Sequence, residues 1–164
     1  MNTIVDIVKY LYLHYPFKME LSKARVVKMI YLIDWRSCIL CHKQITDVSW
    51  YFNHYGPYVS EIIDMIRKDN DFEINSMPNM FGEMKEFIVL RNEKCIINIS
   101  EDVENIANYV INNTANLKWE QFINLIYSTY PIVKQPRYSY LNLVQLSKEY
   151  EQFKKTIKQT DIKN

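Results

Sequence analysis

The stretch that decides the fold is Leu21-Ser-Lys-Ala-Arg-Val-Val-Lys28-Met-Ile-Tyr31-Leu-Ile-Asp34-Trp35, which continues as Arg-Ser-Cys-Ile-Leu-Cys41. Apolar side chains at helical spacing cover most of its circumference, and Ser22 provides a favourable N-cap. The pattern predicts a helix over residues 23–41. Because a helix that is apolar on most of its sides is usually enclosed by other elements, we expect this helix to be central.

Other helices are predicted on both sides of this central helix from the same spacing of apolar side chains. The segments with that spacing are residues 3–15, 101–112, 118–129 and 141–157. Ser100 is the expected N-cap of the second of these, and Trp119 is expected to face inward. Pro57 suits the first turn of a further helix, which should end near residue 69.

A small β structure is predicted in the middle of the chain. Residues 87–90 and 95–99 are apolar runs separated by four polar residues, which is the pattern of a β-hairpin. Residues 70–81 are polar and contain a proline, so we expect a loop there with short extended pieces. The predicted fold class is mainly α (α+β): a single compact helical domain over residues 1–160 with a small antiparallel β-hairpin or sheet.

The composition is that of a globular domain and gives little support to nucleic-acid binding. The chain has 164 residues, of which 48% are hydrophobic and 24% charged, and its net charge is +1. Proteins that bind phosphates usually carry a clear basic excess. The most basic stretch is C-terminal, where acidic residues alternate with Lys148, Lys154, Lys155, Lys158 and Lys163. We interpret it as a solvated helix face rather than an arm for RNA or DNA.

The cysteines and the apolar runs predict a cytoplasmic protein. Three cysteines, an odd number, argue against a disulfide framework. Asp6 and Lys9 interrupt the N-terminal apolar residues, so this segment does not resemble a signal peptide. No apolar run approaches the roughly 20 residues that span a bilayer, and we expect no membrane partner.

Cys38, Cys41 and His42 are the nearest approach to a cofactor motif. They match the C-x-x-C-H pattern of c-type haem attachment, but that chemistry needs export and an exposed loop. Zinc would need a fourth ligand, either Cys95 or His54, and no second pair has metal spacing. Small buried cysteines are the simpler interpretation, so we expect no cofactor and no metal. No serine or cysteine stands in a recognisable catalytic arrangement, and we predict that the chain is not an enzyme.

The densest unusual feature is an aromatic cluster at residues 50–58, whose first part we expect to be extended. About half of its rings should lie in the core, while the others are favoured in protein interfaces. A second candidate surface is the loop at residues 135–140, which combines arginine with tyrosine in a segment that should be exposed. The candidate contact residues are Trp50, Phe52, His54, Tyr58, Arg137 and Tyr138.

Two ordered motifs carry a resemblance to a known family. Lys28, Tyr31, Leu32 and Asp34 match a Lys-Leu-Leu-Tyr-Leu-Ala-Asp-like core on the central helix. Tyr55-Gly56-Pro57-Tyr58-Val59 then matches a Tyr-Gly-Pro-Val-like turn. In this order and spacing the chain resembles the Panacea domain, also called the SocA-like antitoxin domain, over residues 21–66. The matching motif residues are Lys28, Tyr31, Asp34, Tyr55, Gly56 and Pro57.

The later part of the chain departs from the family pattern. The family often has a Leu-Thr-His-like end to a late helix, followed by a proline-containing segment with tryptophan. Here Leu125-Ile126-Tyr127 and Tyr130-Pro131 stand in those places, without the histidine or the tryptophan. No role tied to those two residue types is therefore carried over to this chain.

The resemblance implies an antitoxin of a prophage-associated toxin–antitoxin system. Such a protein neutralises a cognate toxin by binding it directly, and some relatives act as adaptors that deliver the toxin to a protease. Tyr31 and Asp34 would anchor the segment that follows the central helix, and Gly56 would permit a turn with no room for a side chain. We therefore interpret the motif residues as structural rather than as contacts to a toxin.

Two alternatives stay open at this point. Helices followed by a hairpin can form a winged helix, so the chain could be a transcriptional regulator that binds operator DNA, although its charge weighs against this. A metal-dependent enzyme built around Cys38, Cys41 and His42 is the other alternative.

Overall fold

The computed structural model describes residues 3–162, so Lys163 and the first two residues of the predicted domain lie outside it. Within that range the chain forms seven α-helices and two antiparallel two-stranded sheets, which confirms the predicted fold class. The helices are α1 (Thr3–His14), α2 (Lys23–Cys41), α3 (Glu61–Lys68), α4 (Glu101–Thr114), α5 (Trp119–Ser128), α6 (Tyr130–Lys134) and α7 (Leu143–Asp161). The strands are β1 (Tyr51–Asn53), β2 (Gly56–Tyr58), β3 (Phe72–Pro78) and β4 (Met84–Leu90). None of the helices in the described range combines the length and apolar character needed to cross a membrane.

Helix α2 is the centre of the fold, as predicted, and thirteen of its 19 residues are buried. The hydroxyl of Ser22 caps its first turn by accepting a hydrogen bond from the backbone N–H of Arg25 at 3.2 Å. The helix packs against α1, α3, α4 and α7, and also against strands β2 and β4. The apolar side chains on most sides of α2 are therefore covered by other elements, as the sequence pattern predicted.

A buried arginine joins α2 to the α4–α5 connection. Arg25 is only 2% exposed, and its guanidinium donates hydrogen bonds to the carbonyls of Thr114 and Leu117, both at 2.9 Å. Thr114 is the last residue of α4, and its carbonyl also accepts from the N–H of Leu117 at 3.0 Å, while Leu117 lies in the connection to α5. The guanidinium also stacks over the ring of Phe122, 4.5 Å from the centroid. Arg25 thus donates hydrogen bonds to carbonyls at and just after the end of α4 and packs against Phe122 of α5.

Strands β1 and β2 form a short hairpin, and a distant segment extends it by one strand. Tyr51 pairs with Tyr58 and also with Tyr140 on its other side. The backbone N–H of Phe52 donates to the carbonyl of Ser139 at 2.8 Å, which fixes the register. Residues 138–141 therefore run antiparallel to β1, and the small sheet has three strands in effect.

The predicted position of the larger hairpin is wrong. Its strands are β3 and β4, paired from Phe72 opposite Leu90 to Pro78 opposite Met84, whereas residues 95–99 form no strand. A turn does form after β4, where the N–H of Cys95 donates to the carbonyl of Asn92 at 3.2 Å, but β4 pairs with β3 instead, and the N–H of Arg91 prolongs that ladder by donating to the carbonyl of Asp71 at 2.7 Å. The short extended pieces expected within residues 70–81 belong to β3, but its full length and its pairing were not predicted, because it is buried only at Phe72 and most of its side chains are polar or exposed.

Two further predictions about individual residues are corrected. Pro57 does not open a helix: it lies in β2 opposite Phe52, and α3 begins four residues later at Glu61. An edge strand tolerates proline because the missing N–H is not needed there. Trp119, expected to face inward, is 47% exposed, since it occupies the first position of α5 and precedes the turn that packs against the core.

The carboxylate of Asp34 holds the segment that follows α2. It accepts hydrogen bonds from the backbone N–H groups of Ile45 and Thr46 at 3.1 and 2.9 Å. It also accepts from the hydroxyl of Thr46 at 2.5 Å and from the indole N–H of Trp50 at 2.8 Å. Burial raises the pKa of Asp34 to about 6, and these hydrogen bonds oppose the rise. The predicted anchoring role of this residue is therefore visible in its contacts.

We expect Asp34→Ala to lower the free energy of unfolding by at least about 3 kcal/mol, because it leaves several buried donors without an acceptor. Chemical denaturation monitored by tryptophan fluorescence measures the change, and Trp50 reports on the site directly. Asp47→Ala is the matched control, since Asp47 is an exposed carboxylate in the same segment. Equal stability of the two variants would contradict the anchoring role.

Candidate functional site

The structure brings the two predicted contact segments together on one surface. The phenol of Tyr138 lies 3.0 Å from Nδ1 of His54, and the guanidinium of Arg137 lies 3.3 Å from the phenol of Tyr127. The same guanidinium sits over the ring of Phe52, 5.5 Å from its centroid. Residues far apart in the chain therefore form a continuous patch because residues 138–141 add a strand to β1.

The outward side of this three-stranded sheet is lined by tyrosines. Tyr51 stands between Tyr58 and Tyr140, and the rings of Tyr51 and Tyr140 meet edge to face with centroids 5.1 Å apart. Tyr55, at the turn between the strands, is 76% exposed and contacts the ring of His54. We call this patch the aromatic surface. Its members are Tyr51, His54, Tyr55, Tyr58, Arg137, Tyr138 and Tyr140.

Two of the predicted contact residues lie inside the protein. Trp50 is 1% exposed, donates to Asp34 and packs edge to face on Tyr31, with centroids 5.5 Å apart. Phe52 is 5% exposed and points to the same side of the strand as Trp50. Their assignment as contact residues is corrected: alternate residues of β1 face opposite sides, and these two face the core.

The sequence reasoning missed Tyr51 and Tyr140 as members of the surface. The sequence could have identified Tyr51, because the side chains of successive strand residues point to opposite faces and Tyr51 stands between Trp50 and Phe52. Nothing local marks Tyr140, since its place depends on main-chain hydrogen bonds to a strand about 90 residues earlier. These bonds join Leu141 N–H to Trp50 O and Phe52 N–H to Ser139 O, each at 2.8 Å.

Tyr138 has a backbone conformation that tyrosine rarely adopts. Its φ is +67°, in the left-handed region where a bulky side chain costs of order 1 kcal/mol or more. The surrounding structure holds it there, because its N–H donates to the carbonyl of Phe52 at 2.6 Å and its phenol contacts His54. Strained residues of this kind concentrate at functional sites. The strain supports the aromatic surface as a site rather than an incidental patch.

Of the family motif residues, Tyr55 belongs to the aromatic surface and the other five are buried. Tyr31 is fully buried and its phenol lies 2.8 Å from the hydroxyl of Thr129. Gly56 has φ +102°, which only glycine adopts freely. A methyl group there would meet Lys28, Ile126 and Tyr127 at 3.6–3.7 Å, which is ordinary contact. The glycine is therefore required by its backbone angle, and the expected lack of space for a side chain is wrong.

Lys28 is the least expected member of the motif. It is 4% exposed, and burial lowers the pKa of its ammonium to about 8. Among residues 3–162 it forms neither an ion pair nor a hydrogen bond, and burial is the only cause of the shift. Because its pKa remains above 7, the side chain is mainly charged at neutral pH.

In the Cys-x-x-Cys-His stretch, His42 and Cys38 are engaged in contacts within the fold. Both ring nitrogens of His42 are engaged, with the hydroxyl of Ser147 at 2.9 Å and the carboxylate of Glu151 at 2.8 Å. Cys38 is buried, and burial raises the pKa of its thiol to about 12, whereas Cys41 is exposed rather than buried as expected. Within the described range, no three His, Cys, Asp or Glu side chains are grouped to hold a metal ion.

The fold and this site define a helical domain with a surface that is rich in tyrosine and carries one arginine, residue types that are enriched in protein interfaces. A family model described as antitoxin SocA-like, Panacea domain, matches residues 26–131, more than half of the chain. The chain belongs to this family, as the two sequence motifs indicated. The matched region runs from α2 through α5 and includes the buried motif residues. No curated protein and no solved structure matches the chain.

We expect Lys28→Met to stabilise the protein at pH 7 by roughly 1–3 kcal/mol. The pKa falls from 10.5 to about 8 on folding, and each unit corresponds to about 1.4 kcal/mol of unfavourable charge burial. Methionine keeps the apolar stem without the charge. Lys43→Met, at an exposed lysine, is the matched control.

The pH dependence of this difference has a defined sign. Between about pH 8 and 10.5 the folded chain has lost the Lys28 proton while the unfolded chain still holds it. The unfolded state then binds more protons, so wild-type stability rises with pH in this window. Urea titrations at several pH values should show the advantage of Lys28→Met shrinking from pH 8 to 10.5. A constant difference would show that Lys28 is not buried as a cation.

Proposed function

We propose that this protein is the antitoxin of a toxin–antitoxin pair and neutralises its cognate toxin by direct binding through the aromatic surface. Family membership supports the antitoxin role. The observation that carries the choice of surface is the meeting of β1, β2 and residues 138–141, which gathers exposed tyrosines next to the loop that carries Arg137. No catalytic group is needed for such an activity.

The side chains of the aromatic surface suit recognition of a protein. Tyr55, Tyr138 and Tyr140 are 76%, 57% and 72% exposed, so their rings are available to a partner. Tyrosine offers a large contact area with few rotatable bonds, and arginine adds fixed donors, which is why both recur in interface hot spots. The backbone that carries these rings is held by hydrogen bonds between β1, β2 and residues 138–141. A partner therefore meets a main chain that is already ordered, which lowers the entropic cost of binding.

The first test is coexpression with the product of the neighbouring gene. We expect that product alone to arrest growth and coexpression of this chain to restore it, because binding masks the toxin. The Asp34→Ala variant serves as a control with a weakened core and should rescue poorly. A harmless neighbouring product, or growth arrest that persists with the wild-type chain, would refute the proposal.

The second test addresses the surface. The double substitution Tyr55→Ser and Arg137→Ser should weaken toxin binding at least about tenfold, because it removes two hot-spot side chains. Calorimetric titration of the purified proteins measures the affinity, and circular dichroism checks that the fold is kept. Tyr109→Ser is the matched control, since Tyr109 is 45% exposed on α4, outside the aromatic surface. Unchanged affinity of the double variant would place toxin binding elsewhere.

An adaptor role, in which the bound toxin is delivered to a protease, is a finer prediction of the same proposal. It requires a second contact area that stays free while the aromatic surface is covered. Toxin half-life in cells measures it: coexpression should shorten the half-life if the chain is an adaptor and leave it unchanged if binding alone neutralises. A prophage-associated and cytoplasmic setting likewise remains a prediction.

DNA binding has less support from the geometry. In a winged helix the helix before the hairpin reads DNA, and here that helix would be α3, followed by β3 and β4. Its exposed side carries Glu61 and Asp64 as well as basic residues, and Arg67 pairs with Glu86 at 3.1 Å. Carboxylates on that face would repel phosphates. We therefore rank an operator-binding role below toxin binding.

A further inference from the structure

A cavity of about 340 Å³ opens beside the aromatic surface, between α2, α3 and the β1–β2 turn. The turn residues His54, Tyr55 and Gly56 form one wall, and the side chains of Val27 and Ile63 contribute apolar surface to the others. Since a water molecule fills about 30 Å³ of liquid, the space holds one amino-acid side chain with room to spare. Three members of the aromatic surface, His54, Tyr55 and Tyr58, thus also line this cavity.

The charges around the cavity are all of one sign. Lys23 and Lys28 line it, and none of its lining residues is an aspartate or glutamate. The ammonium of Lys23 is already paired with Glu86 on β4. That of Lys28 has no such partner among residues 3–162, and its Cε lies 3.6 Å from where a side chain on Gly56 would begin. Lys28 is therefore a largely buried lysine that lines the cavity and has no counter-ion among the described residues.

A second buried lysine, Lys9, is neutralised by carboxylates of the same chain and can be compared with Lys28. Lys9 on α1 is 7% exposed, and carboxylate oxygens of Asp69 and Asp71 lie 3.3 and 2.7 Å from its Nζ. Those carboxylates raise the pKa of Lys9, although burial alone would lower it. Lys28 is about as buried and lacks both neighbours. An unpaired buried charge is costly, so it calls for an explanation outside the isolated chain.

We propose that the cavity receives an acidic side chain of the bound partner protein, whose carboxylate pairs with the ammonium of Lys28. This inference rests on the proposed function, since it assigns the cavity to the same partner as the aromatic surface. The apolar walls at Val27 and Ile63 suit the methylene groups of a glutamate or aspartate, and the single free cation suits a single negative charge. Tyrosines around the mouth then exclude water from the ion pair, which strengthens it.

The first experiment uses a small probe and no partner protein. The chain, labelled with ¹³C at lysine Cε, is titrated with N-acetyl-glutamate amide while NMR follows the signal that is absent from Lys28→Met. We expect this signal to move saturably in the millimolar range. N-acetyl-glutamine amide and sodium chloride at equal ionic strength are the controls and should leave it in place. No movement with the glutamate probe, or equal movement with inorganic phosphate, would overturn a carboxylate pocket.

The second experiment measures partner binding. Lys28→Met should weaken binding of the toxin at least tenfold while the variant is more stable than the wild type. Loss of binding with gain of stability cannot come from misfolding, which separates an ion pair from a structural role. Lys43→Met, the exposed control, should bind like the wild type. Substituting the partner's acidic residues one by one to amides should then identify one whose loss is not additive with Lys28→Met.

The outcomes distinguish this inference from the proposed function. If the wild-type chain binds no neighbouring product, the proposed function fails and the partner assignment of the cavity fails with it. If the wild type binds and Lys28→Met binds equally well, the antitoxin role stands and this inference alone is overturned. Additivity between Lys28→Met and every acidic substitution in the partner would overturn it as well.

Discussion

The buried carboxylate of Asp34 is the contact on which the position of the candidate site depends. Four hydrogen bonds join it to residues 45, 46 and 50, so the chain leaving α2 is fixed to the side of that helix. Trp50 is thereby placed in the core, and β1 begins at the next residue. Residues 138–141 then pair with β1, which follows this anchored segment directly. The position of the aromatic surface therefore depends on the hydrogen bonds that the buried carboxylate of Asp34 accepts from the segment before β1.

The same strand explains why the aromatic cluster is half core and half surface. Trp50 and Phe52 point inward and pack on α2 and its neighbours, while Tyr51 points outward between two other tyrosines. A one-residue shift in register would exchange the two sets and expose the tryptophan. The hydrogen bond from the Trp50 indole to Asp34 resists that shift. The core contact and the exposed row of tyrosines are therefore two consequences of one register.

Sequence patterns predicted the parts of this structure that depend on neighbours in the chain. The bounds of α2 and its cap at Ser22 follow from periodicity and local hydrogen bonding, and so does the cap at Ser100. Strand β3 was predicted only as short extended pieces, because its burial is confined to Phe72 and leaves no alternating pattern to detect. The added strand at residues 138–141 was missed because main-chain hydrogen bonds between distant segments leave no trace in residue type. Four residues of the aromatic surface, His54, Tyr58, Arg137 and Tyr138, were predicted as contact residues. The sequence did not predict that the two segments carrying them lie next to each other.

Lys28 shows how a residue can fit the periodicity of a helix and still conflict with the fold. Its stem packs like an apolar side chain on α2, but its charge is buried without the carboxylates that Lys9 receives. Since methionine would fill the same space without that cost, stability alone does not account for lysine here. Local conflicts of this kind are expected where function opposes stability. An aromatic surface next to one cation that requires an acid would combine a large contact area with a fixed point of attachment.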